Sequence, residues 1–100
     1  MSTSQIDINY LDNEVILIAT QGTFSSTLAH LKSGYAKPTN ATIYPNAVLP
    51  SGSYNLMVIG VNWGGPGSVK VTLTNNGTPQ VVEFQMSGVT TQSETIPITV

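Results

Sequence analysis

The chain has 100 residues, enough for one domain with a single core, and only 8% of them are charged against about 25% in an ordinary globular domain. Three Lys, no Arg and a net charge of −2 exclude a counterion-driven nucleic-acid binder and a polybasic membrane-surface mechanism. With 13 Thr, 10 Ser, 8 Asn and 5 Gln, the surface is polar and nearly uncharged, which suits neutral ligands and also favours self-association.

There is no cysteine, so no disulfide framework and no thiol chemistry. The N-terminal Met1-Ser2-Thr3-Ser4 has neither a basic nor an apolar signal-peptide region, and the longest apolar run, residues 56–61, is far short of a membrane span. The expected location is the cytoplasm, or outside it by export without a cleaved signal.

Ile6, Ile8 and Tyr10 alternate with Asp7 and Asn9, the period of a half-buried strand. Asp12-Asn13 predicts a tight turn into residues 14–20, a β-branched segment apolar on both faces, as in a strand covered on both sides. After Gln21-Gly22, the spacing of Phe24, Leu28 and Leu31 predicts a short helix near residues 24–32, with an irregular strand as the competing reading. Thr23 would cap it and Gly34 would end it. Pro38, Pro45 and Pro50 limit regular structure in residues 35–53, where a short edge strand at 41–44 fits.

Residues 54–63 read as a strand with Met57, Ile59, Val61 and Trp63 facing inward. Residues 68–74 read as its partner, joined through the glycine-rich loop Gly64-Gly65-Pro66-Gly67 with Val61 opposite Val69 or Val71. Asn76-Gly77 is the preferred pair for a type I′ hairpin, because both central positions need positive φ. That turn sets Asn75 opposite Thr78, Lys70 opposite Glu83, Val71 opposite Val82 and Val69 opposite Phe84. A last strand at 95–100 contains Pro97, which cannot donate to a ladder and belongs at an edge. About six to seven strands and frequent turns predict a single mainly-β domain spanning residues 1–100, an antiparallel β-sandwich.

The catalytic inventory is thin. His30 is the only histidine and falls off the predicted helical stripe, an exposed and inert position. The carboxylates are Asp7, Asp12, Glu14, Glu83 and Glu94, and nothing places two of them across a cleft. Asp7, Asn9, Asp12, Asn13 and Glu14 cluster like a calcium loop but lack its glycine and spacing. Two Asn-x-Thr sequons, at Asn40 and Asn76, have no signal peptide to make them meaningful, and the glycine-rich loop lacks the helix and lysine of a phosphate loop. The expectation is a non-enzymatic protein with no metal and no cofactor.

An aromatic site remains. Trp63 sits where a strand meets the loop, beside Asn62, Gly64 and Gly65, with Tyr35 and Tyr44 in the proline-bearing segment. Flat rings beside amides and hydroxyls are what a neutral carbohydrate needs, so these six residues form the candidate lectin-like site. The competing reading is that Trp63 plugs the open end of the core, continuing the inward set. Double-sided apolar strands at 15–19 and 56–61 call for cover by the helix and long loop or by a second subunit, so a self-assembling homo-oligomer is the alternative function. A membrane-active protein, anchored through Trp63 and the loop tyrosines, is the third.

Overall fold

The computed structural model describes residues 2–33 and 37–100. Its elements are β1 (Thr3–Leu11), β2 (Glu14–Gln21), β3 (Phe24–Lys32), β4 (Lys37–Ile43), the one-turn helix α1 (Pro45–Val48), β5 (Ser53–Asn75) and β6 (Thr78–Thr99). All pairings are antiparallel, in the order β3-β2-β5-β1-β4, with β6 also paired to β5.

The length of β5 makes this sheet curl. Residues 55–61 pair with β2, whereas residues 69–75 pair with β1, so one strand serves both halves. Its partner β6 follows it along both halves, with a register break between Trp63 and Pro66. The bend runs through Gly64 (φ 150°) and Gly65 (φ 66°) in β5 and Gly88 (φ 76°) in β6, backbone conformations open mainly to glycine. The result is a half-barrel: a curled antiparallel sheet closing over one core. Ile6, Ile8, Val15, Leu17, Leu56, Val58, Val69, Val71 and Leu73 are fully buried there. Among the described residues no helix is long and apolar enough to cross a membrane.

The hairpin register holds throughout: Asn75↔Thr78, Lys70↔Glu83, Val71↔Val82 and Val69↔Phe84. Asn76 and Gly77 both have positive φ, at 49° and 80°. The strand expected at 41–44 is the C-terminal part of β4, which pairs only β1. The separate last strand expected at 95–100 is instead the end of the continuous β6, and among the described residues β6, with Pro97 on it, pairs only β5.

Four more expectations are corrected. Residues 24–32 form β3 and not a helix. A register shift opposite Leu17/Ile18 leaves Leu28 as an extra residue, so Leu28, Ala29 and Leu31 all pack against the core. That bulge, not a helical turn, produces the spacing of the leucines, and Ser25-Ser26-Thr27 suits the extended chain. Second, residues 54–63 and 68–74 are not a hairpin but one continuous strand bent at the glycines, so Val61 faces Glu14 and Thr91.

Third, the faces of residues 54–63 are inverted. Tyr54, Leu56, Val58, Gly60 and Asn62 are buried, while Met57, Ile59 and Val61 are half-buried and Trp63 is exposed. Gly60 makes this possible: a Cβ there would stand 2.8 Å from Phe84 Cδ2, so the Phe84 ring occupies the space a side chain would need. Fourth, a bulge between Ile8 and Tyr10 breaks the alternation of β1, so Leu11 enters the core and Tyr10 pairs with exposed Lys70. The helix α1 packs on β1.

Candidate functional site

The bend of β5 meets the β1–β2 junction, and side-chain amides fasten the two together. Asn62 is fully buried, and its Nδ2 donates to Gly65 O at 2.7 Å and to Gly88 O at 2.9 Å, tying both glycine bends to one side chain. Its Oδ1 has no hydrogen-bond partner. A Cβ on Gly67 would stand 2.5 Å from that oxygen and 2.6 Å from Asp12 O, so only glycine fits between β5 and the junction. Asn13 completes the fastening. Its Oδ1 accepts the Trp63 backbone N–H at 2.8 Å, and its own N–H donates to Val61 O at 3.0 Å.

These contacts leave the Trp63 ring outside. The side chain is 47% exposed, and its indole Nε1 donates to Glu14 Oε1 at 3.4 Å. The other oxygen of Glu14 contacts His30 Nε2 and lies 3.9 Å from Lys32 Nζ. Strand register creates this group: Glu14 stands opposite Lys32 on β3 and Val61 on β5, with His30 one outward position along. The His30 hydrogen bond holds the Glu14 carboxyl below the usual carboxylate range; desolvation opposes this, and Trp63 and Lys32 add to it. Gly64 and Gly65, next along the chain, are exposed, with open space where side chains would stand.

No protein-family model matches the chain, and comparison with curated proteins and with solved structures returns no match. The site therefore rests on its own geometry.

Of the six residues read from the sequence, the corner brings together Trp63, Asn62, Gly64 and Gly65. Trp63 is exposed, Gly64 and Gly65 follow it at the surface, and Asn62 is a buried support closed to solvent. Tyr44 is exposed but follows Ile43, which pairs with Ile6, five positions along β1 from Leu11. At about 3.3 Å per strand residue that is roughly 16 Å from the corner. Tyr35 lies outside the described residues. Glu14, His30 and Lys32 were not read as site residues, and His30 is engaged with Glu14 instead of standing alone. The remaining oxygen-rich residues disperse: Asp7 bonds Gln5 and Thr42, and Asn9 bonds Thr72.

Proposed function

We propose that this protein is a non-enzymatic, lectin-like binding module that takes a neutral carbohydrate against Trp63. The observation carrying this reading is the exposed indole, whose ring N–H is held by Glu14. A sugar offers an apolar C–H face to such a ring and hydroxyls to its surroundings. His30 and Lys32, with side chains 45% and 62% exposed, are the polar groups in reach. The two halves of the curled sheet are read as the layers of a β-sandwich, supported by a shortest molecular dimension of 17 Å.

A glycan array probed with labelled protein is the test. Trp63→Ala is expected to weaken any hit about tenfold or more, with Trp63→Phe intermediate. An array without hits, or a Trp63→Ala protein that binds unchanged, refutes the reading. Because Trp63 is the sole tryptophan, its fluorescence reports binding directly.

A homo-oligomer is the second reading, favoured by one specific observation. Ile16 pairs with Ile59 and Ile18 with Met57 on the outer face, giving a half-buried aliphatic strip.

A further inference from the structure

On the other side of the glycine corner from Trp63 lies a cavity of about 320 Å³, walled by Tyr10, Asp12, Gly67, Ser68 and Gln85. Its unusual member is Asp12. The residue is only 9% exposed, yet among the described residues its carboxylate makes no hydrogen bond and no ion pair. A carboxylate has room for about four donors, and this one accepts none from the described residues. Its oxygens are not sealed in the core, where Asn62 Oδ1 is the unpartnered atom among the described residues. Asp12 is one of the residues that line the cavity.

We propose that this cavity is a second carbohydrate subsite, in which Asp12 accepts hydrogen bonds from two adjacent hydroxyls of a single neutral sugar ring. The inference rests on the carbohydrate reading of the corner and adds a site to it. Hydroxyl donors on a carboxylate make charge-assisted bonds, stronger than neutral ones. The Tyr10 ring, brought outward by the β1 bulge, takes the apolar face of the sugar, and Ser68 and Gln85 supply hydroxyl and amide partners. The volume is at the small end of ligand pockets, the size for one ring and not a chain.

The test is an amide NMR titration of the labelled protein with methyl glycosides of the common neutral hexoses at millimolar concentration. At least one glycoside is expected to shift the backbone amides of Gly67, Ser68 and Gln85. Asp12→Asn is expected to weaken that response about tenfold or more, as for loss of a charged hydrogen bond. Ser68→Ala, expected to weaken it severalfold, serves if Asp12→Asn does not fold. Shifts confined to the Trp63 indole signal overturn this subsite and leave the proposed function standing. Shifts at the cavity without any at the indole do the reverse. Silence at both positions overturns both, and an Asp12→Asn protein that responds like wild type overturns the subsite.

Discussion

Two residues at the corner, Gly67 and Asn62, carry more structural consequence than any charged group in the chain. Gly67→Ala forces a methyl group against the Asp12 carbonyl and the Asn62 amide, neither of which is a free side-chain end. It is expected to lower stability by roughly 1–3 kcal/mol, as overpacking does, read as a shift in denaturant midpoint. Asn62→Ala removes the bonds to Gly65 and Gly88 and leaves two carbonyls without that donor, an expected loss of about 2 kcal/mol in the same measurement.

Glu14 adds a pH dependence whose sign follows from its environment. Its folded-state pKa is depressed, so its contribution is present above the unfolded value and is lost as pH falls through the folded one. Glu14→Gln should therefore be less stable than wild type at neutral pH, and the difference should vanish in acid. The partners are exposed, so the gap is expected to stay below about 1 kcal/mol. A difference that widens as pH falls contradicts the assignment.

At the scale of elements, legibility depended on whether alternation ran unbroken. The β5–β6 register followed from Asn76-Gly77 because a two-residue turn leaves no freedom and the next seven pairs are regular. Single-residue bulges defeated the same logic elsewhere. In β3 the extra Leu28 shifts the pairing by one, so Lys32, and not Leu31, faces Glu14. Counting back from the two-residue Gly22-Thr23 loop without the bulge would turn His30 inward and set Leu31 opposite Glu14, which is why that half of the site was not legible.

The glycine run misled for a related reason. Its residues are turn formers, but here they bend one strand instead of ending it. The outward position of Trp63 depended on Gly60 making room for Phe84, a contact across the fold that no local pattern announces. Gly60→Ala should accordingly displace Phe84 and destabilise the sheet by roughly 1–3 kcal/mol, whereas Gly64→Ala, with open space at its Cβ, is strained by backbone conformation alone.

For the molecule as a whole, low charge and a half-buried aliphatic strip are the features behind the proposed association. The face holding Ile16, Ile18, Met57, Ile59 and Val61 has Glu14 and Lys32 near its end, so two such faces meet without net repulsion. If self-association occurs through this strip, replacing Ile16 and Ile59 together by Thr should abolish it in light scattering while leaving the fully buried core intact. A clean monomer at high concentration in the wild-type protein removes the oligomer reading.

The division of β5 between two partners also governs how the chain must assemble. β1 and β2 are adjacent in sequence but do not pair; each waits for a different half of β5, and Thr3 meets its partner only when Asn75 has been made. Until then the chain emerging from a ribosome has β3 to shield β2 and only β4 to shield β1. Contacts this distant in sequence place refolding in the millisecond-to-second range of all-β domains. Val15 and Leu17 wait for residues 55–61 and Ile6 and Ile8 for residues 69–75, so slowing synthesis before those residues is expected to increase aggregation of the nascent chain.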